Sequence, residues 1–147
     1  MTRIIPPVLG LTWTGIQLTM TAAAGGRRRF AGQKALAGAV GAASLALGVA
    51  ALRGFDTAGT TSNPLQPRDA STLVTSGVYS YTRNPMYLSI LVQLLAVAIG
   101  TGRLRTLLAL PGLVWSLQPQ IEAEEAALSE LFGEWYADYC ARVPRWL

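Results

Sequence analysis

The chain has 147 residues, of which 51% are apolar and 14% charged, whereas about 25% are charged in an ordinary soluble domain. It contains no histidine and one cysteine, Cys140. An intramolecular disulfide and the usual Ser-His-Asp and Cys-His catalysis are therefore excluded, and a metal site is not expected. The net charge of +4 is dispersed around apolar segments, so nucleic acid is not expected as a partner.

Four apolar stretches without any charged residue follow one another at 4–26, 35–52, 84–102 and 106–121. A membrane-spanning helix needs about 20 apolar residues. Each stretch therefore predicts a transmembrane helix, the fourth being short and carrying Pro111 and Pro119. So many apolar helices leave too little polar sequence to cover them in water. We expect a single all-α integral-membrane domain over 1–147 with about four transmembrane helices.

Residues 1–53 form the two N-terminal helices of this prediction. The link between them carries three consecutive arginines at 27–29, a cluster suited to lipid headgroups. The second helix has small residues spaced so that they share one helix face, which predicts close packing against a neighbour. These small residues are Ala37, Gly41, Ser44 and Gly48.

Residues 54–85 are predicted to form a loop, and residues 54–70 within it are the least apolar part of the chain. The loop leads into Pro85, which suits the first turn of the third helix. Residues 86–120 then form a predicted helical hairpin that turns at 101–105, and residues 121–147 form a C-terminal helical segment that completes a pocket.

The C-terminal segment has an amphipathic helical pattern. Its apolar face is predicted to contain Ile121, Leu128, Leu131, Phe132, Trp135, Tyr136 and Tyr139. Glu124 and Glu125 fall inside that face, where adjacent carboxylates need a cationic or hydrogen-bonding partner. Arg83 is one candidate partner and a cationic ligand is another. Gly133 is a potential helix break, so the face is less certain beyond it.

Four short segments between about residue 70 and the C-terminus form an ordered set, at 72–79, 83–87, 124–125 and 142–144. Together they resemble the isoprenylcysteine carboxyl methyltransferase family, a group that includes bacterial homologues and phospholipid methyltransferases. The resemblance implies an integral-membrane methyltransferase that uses S-adenosylmethionine and methylates an amphiphilic or lipid-like acceptor. It also implies a bacterial inner membrane location, with the active site facing the cytoplasm and membrane lipids as partners.

The resemblance further implies which residues form the site. The cofactor pocket would be lined by Thr72, Leu73, Val74, Tyr79, Asn84, Pro85, Met86, Tyr87 and Glu124. Arg83 and Glu125 are the expected catalytic residues, since Glu125 is the nearest base for an amine acceptor. Tyr79 and Tyr87 would offer aromatic faces to the adenine or the sulfonium.

Two positions depart from the family pattern, which leaves the acceptor open. Asn84 stands where many members have histidine, and it cannot titrate near neutral pH. Gln120 is expected to contact the substrate, at a position where the eukaryotic prenylcysteine enzymes have arginine. Phospholipid N-methylation is therefore an alternative activity, and a small transporter or a structural membrane protein is an alternative from another class. Basic residues are divided equally between the two predicted sides, so charge does not fix the orientation.

Overall fold

The computed structural model describes residues 6–22, 29–60 and 71–147. Within these ranges every regular element is helical, which confirms the all-α prediction. The α-helices are α1 (Pro6–Ala22), α2 (Gln33–Ala58), α3 (Pro85–Thr101), α4 (Ala109–Phe132) and α5 (Glu134–Arg142). Two 3₁₀ segments, Gly77–Ser80 and Leu104–Leu108, precede α3 and α4 respectively.

The helix boundaries differ from the predicted ones in two places. α2 continues to Ala58, five residues past the predicted boundary at 53. α4 runs without interruption through Pro119, so the fourth apolar stretch and the start of the C-terminal segment are one helix. Pro119 is tolerated because the helical hydrogen bond that it removes would be accepted by Trp115, on the exposed side of α4.

α2 and α3 pack closely along the stripe of small residues. The Ser44 hydroxyl donates a 2.8 Å hydrogen bond to the backbone carbonyl of Ser89 on α3. A Cβ atom added at Gly48 would lie 3.3 Å from the Ser89 hydroxyl oxygen, and one added at Gly100 of α3 would lie 3.4 Å from the Ala37 Cβ. The small residues thus bring the two backbones together as predicted.

α1 is held against α3 and α4 by apolar packing and by hydrogen bonds from two side chains, Trp13 and Gln17. The Trp13 ring lies over Gly112 of α4, where an added Cβ would be only 2.2 Å from the ring. The Trp13 indole donates to the Ser116 hydroxyl at 3.1 Å. Gln17, fully buried, donates to the backbone carbonyls of Leu94 and Thr106 at 2.8 and 3.0 Å.

The outer surface of the bundle carries many large apolar side chains. Leu11, Leu45, Leu108 and Trp115 are each at least 60% exposed. Among the described residues, α2 is the one helix long and apolar enough to cross a membrane by length and composition, and α3 is a shorter apolar helix. Exposed apolar patches of this extent mark a surface that contacts lipid or another protein.

The antiparallel order of the helices gives the bundle two ends. The end of α2, the start of α3, and α5 with the C-terminus lie at one end, which we call the site end. The start of α2, the end of α3 and Leu104–Leu108 lie at the other, which we call the far end. The Gln33 amide at the start of α2 donates to the backbone carbonyl of Ile99 near the end of α3, which fixes this arrangement.

Candidate active site

The chain after α5 crosses the start of α3. Residues 143–147 form this crossing, which we call the C-terminal strap. The backbone N–H of Arg83 donates to the Pro144 carbonyl at 3.0 Å. The side chains of Thr82 and Asn84 both donate to the Arg145 carbonyl, at 3.2 and 3.0 Å. Asn84 therefore holds the strap to the mouth of α3, although cofactor binding was predicted for it.

The strap brings a second arginine to Glu125. Arg83 Nη1 donates to Glu125 Oε1 at 2.9 Å. Arg145 binds the same carboxylate in a bidentate way, with Nε on Oε1 at 3.0 Å and Nη2 on Oε2 at 2.5 Å. These hydrogen bonds with Glu125 raise the pKa of Arg145 further above its usual value. Two guanidinium groups against one carboxylate leave this cluster with an excess positive charge.

Arg83 is also surrounded by side chains of α5. Its Nη1 lies 2.9 Å from the Cys140 Sγ and 3.5 Å from the Tyr136 hydroxyl oxygen. Its Nε is buried and has no hydrogen-bond acceptor among the residues that the structure describes. A buried donor without an acceptor costs about 1–3 kcal/mol of stability. This N–H is therefore suited to donate a hydrogen bond to a ligand.

Glu124 accepts hydrogen bonds from two uncharged side chains, those of Tyr87 and Gln120. The Tyr87 hydroxyl donates to Glu124 Oε1 at 2.6 Å. The Gln120 amide, one turn earlier on α4, donates to the Tyr87 hydroxyl at 2.8 Å and to Glu124 Oε1 at 3.1 Å. The hydrogen bonds of Gln120 therefore hold Tyr87 and Glu124, and its contact with the substrate stays a prediction. The two neighbouring carboxylates thus have different surroundings: cations at Glu125, and neutral donors at Glu124.

The segment before α3 lies between α2 and α5. Tyr79 is buried, with its ring edge-on to Phe55 of α2 at 5.4 Å between centroids. The Tyr79 carbonyl accepts a 2.7 Å hydrogen bond from the Tyr139 hydroxyl of α5. Burial raises the pKa of Tyr139 to about 12, although Arg83 opposes this rise. Both tyrosines predicted to present a ring to the cofactor, Tyr79 and Tyr87, have their rings buried in the protein.

The remaining predicted cofactor residues divide between two apolar clusters. Val74 and Met86 pack with Tyr79, whereas Leu73 packs with Tyr136 and Tyr139. Pro85 is buried in the first turn of α3. The backbone N–H of Thr72 lies 3.4 Å from the Thr60 hydroxyl oxygen, at the end of α2. The loop that leads into α3 therefore packs on one side against Tyr136 and Tyr139 of α5, through Leu73, and on the other side with Tyr79, through Val74.

The predicted apolar face of the C-terminal segment is correct in part on both sides of Gly133. Ile121, Tyr136 and Tyr139 are buried, but Leu131 near the end of α4 and Trp135 on α5 are 42% and 50% exposed. For Trp135 the reason is the backbone of Gly133, whose φ of 51° and ψ of −124° end α4 and start α5 in a new direction. A single helical period cannot describe both helices.

Arg145 is the site residue that the sequence analysis missed. It was counted only as one basic residue on one side of the membrane. The available signal was its position directly after residues 142–144, which carry part of the family resemblance. Among the described residues no group of three or more metal-binding side chains was found.

Comparisons with known proteins relate the chain to one family. The family model described as phospholipid methyltransferase matches residues 34–135. The chain is similar to the protein-S-isoprenylcysteine O-methyltransferase of Schizosaccharomyces pombe, at 34% identity over 73 residues, which are 49% of this chain and 31% of that protein. The mouse protein of the same name is 40% identical over 84 residues, covering 52% of this chain and 27% of the relative. The chain thus matches less than a third of the length of these relatives. No solved structure matches it.

Proposed function

The chain belongs to the phospholipid methyltransferase family, and from this membership we propose that it is a membrane methyltransferase that uses S-adenosylmethionine. The acceptor is an amphiphilic or lipid-like molecule. The observation that carries the proposal is the pair Glu124 and Glu125 at the mouth of α3, with neutral donors on the first and two arginines on the second. This separation provides an anionic and a cationic region side by side.

The residues at the site fit the chemical groups of S-adenosylmethionine. The bound cofactor would supply a methyl group activated by its positively charged sulfur. Glu124 suits the ammonium of its amino acid part, because a carboxylate attracts a cation. The unpartnered Nε–H of Arg83 suits the carboxylate. The loop with Thr72, Leu73 and Val74 and the start of α3 would complete the pocket.

We assign different roles to the residues around Glu125. Arg83 contacts the reacting groups and holds the acceptor in line. Glu125 orients Arg83, and Arg145 fixes Glu125 from the strap. Since both Glu125 oxygens already accept hydrogen bonds from arginine, Glu125 would serve as a base only for an amine acceptor and only after Arg145 moves. A carboxylate acceptor needs no base, so alignment and exclusion of water would account for its methylation.

The acceptor itself is tested by a panel of candidates. Radiolabelled methyl transfer would be measured to a farnesylated cysteine analogue, an aminophospholipid and a hydrophobic thiol. Gln120 provides no cation for a carboxylate, so the aminophospholipid is the second candidate acceptor. If Gln120 lies at the polar end of the substrate, Gln120→Arg should raise transfer to the farnesylated analogue. Failure of every acceptor, together with failure to bind S-adenosylhomocysteine, would favour a transporter or a structural protein.

We further propose that α1 to α4 cross the bacterial inner membrane with the site end in the cytoplasm, where S-adenosylmethionine is made. Leu11, Leu45 and Trp115 would then face lipid. Cysteines placed at the exposed Ser76 and Leu104, in a Cys140→Ser background, should react with impermeant reagents from opposite sides of the membrane. Reaction of both from one side would show that α3 does not span it.

A further inference from the structure

We propose that the far end of the bundle binds an anionic phospholipid at a site separate from the acceptor site. The first observation is the charge distribution along the chain. Among the described residues, the far end has four basic and no acidic residues, whereas all seven described acidic residues lie at the site end. The four far-end cations are Arg29, Lys34, Arg103 and Arg105.

The second observation is an apolar groove at this end. It lies beside the last turn of α3, and its walls include Phe30, Ile99, Leu104 and Leu107. Arg103 is the one charged side chain among the described residues that line it. An apolar groove with a guanidinium beside it matches a molecule with a hydrocarbon chain and an anionic headgroup.

The walls of the groove are fixed by hydrogen bonds within the protein. Gln33 at the start of α2 donates to the Ile99 carbonyl at 2.5 Å, which joins α2 to α3. The backbone N–H of Gly102 donates to the Ala98 and Ile99 carbonyls and ends α3. The Thr106 hydroxyl donates to the Arg103 carbonyl at 2.6 Å, which shapes the turn. A groove formed in advance needs little ordering when a ligand binds.

Charge complementarity selects an anionic phospholipid over a zwitterionic one. At the site end Glu125 neutralises part of the charge of Arg83 and Arg145. At the far end the described residues include no carboxylate, so the excess positive charge there attracts a lipid phosphate more strongly when no amine in the headgroup compensates it. The length of α3 separates the two ends by roughly 25 Å. The lipid would therefore be a bound component of the fold and not the methyl acceptor.

The test is the affinity of the purified full-length protein for phosphatidylglycerol and phosphatidylcholine with identical acyl chains, measured by native mass spectrometry in a neutral detergent. We expect clear preference for phosphatidylglycerol. Arg103→Gln should weaken that binding about fivefold, the effect of removing one cation beside an anionic lipid surface. Arg142→Gln is the matched control, because Arg142 is equally charged but exposed at the site end. Arg103→Lys should retain most of the binding.

A second variant separates the groove from general attraction between charges. Phe30→Ala shortens one wall without changing the charge, and it should weaken phosphatidylglycerol binding while Arg142→Gln does not. Equal affinity for the two lipids, or equal losses in Arg103→Gln and Arg142→Gln, would overturn the proposal. The measurement uses neither cofactor nor acceptor, so its result is independent of the proposed methyl transfer.

Discussion

Replacing Glu125 by glutamine would remove the negative charge that holds Arg83 and Arg145 together while keeping the shape of the side chain. Glu125→Gln leaves two guanidinium groups next to each other without a counter-charge. Hydrogen bonds to charged groups contribute about 1.5–3 kcal/mol when sheltered, and fully exposed ion pairs about 0–1 kcal/mol. The three side chains are 16–33% exposed, so intermediate values apply.

The bidentate geometry makes Arg145 the stronger of the two partners. We expect a coupling free energy of about 1–2 kcal/mol between Glu125 and Arg145, and about 1 kcal/mol between Glu125 and Arg83. A double-mutant cycle of Glu125→Gln and Arg145→Gln, followed by denaturant unfolding in mixed micelles, measures the first value. Glu122→Gln, on the exposed side of the same helix, is the control and should change stability by less than about 0.5 kcal/mol. Strictly additive effects in the cycle would refute the ion-pair geometry.

Three further predictions concern the site and its support. Gln120→Met removes the amide that holds Tyr87 and Glu124; it should weaken S-adenosylhomocysteine binding by about 1–2 kcal/mol in calorimetry, and unchanged affinity would contradict this role. Gly112→Ala places a Cβ against the Trp13 ring. In thermal unfolding it should lower the free energy of unfolding by about 1–3 kcal/mol, whereas no loss would mean that the ring moves freely. The stability that neutral Tyr139 provides should be fully present below about pH 10 and lost as the pH rises through about 12. Unfolding at alkaline pH is followed by fluorescence in the wild type and in Tyr139→Phe, and an equal loss of stability in both proteins would contradict this.

Much of the fold could be predicted from sequence because lipid-facing and close-packed helices have simple requirements. Runs without charge mark the apolar helices, and small residues one turn apart mark the face where α2 meets α3. Pro85 marks the start of α3 for a local reason, since its fixed φ angle suits a helix start. Glu124 and Glu125 were recognisable as positions that need hydrogen-bonding or charged partners, because they lie on an apolar helix face, and the structure gives both of them such partners.

The rest depended on contacts between distant parts of the chain. Arg145 follows Pro144 in a segment without periodicity, so no local pattern could place its guanidinium on Glu125. The direction of α5 depends on one backbone conformation, at Gly133, which rotated Trp135 out of the predicted face. The predicted boundary between residues 86–120 and 121–147 lies inside α4, which continues through Pro119.

The most direct test of the account is binding of S-adenosylhomocysteine to the purified protein by calorimetry, with Glu124→Ala as the decisive variant. The account predicts one site in the wild type. It predicts a loss of at least about thirtyfold in Glu124→Ala, since removing the partner of a charged group in a sheltered site costs about 2–5 kcal/mol. Glu122→Ala, two positions away and exposed, should bind like the wild type. No binding by the wild type in several lipid environments, or equal affinity in Glu124→Ala, would contradict the central claim.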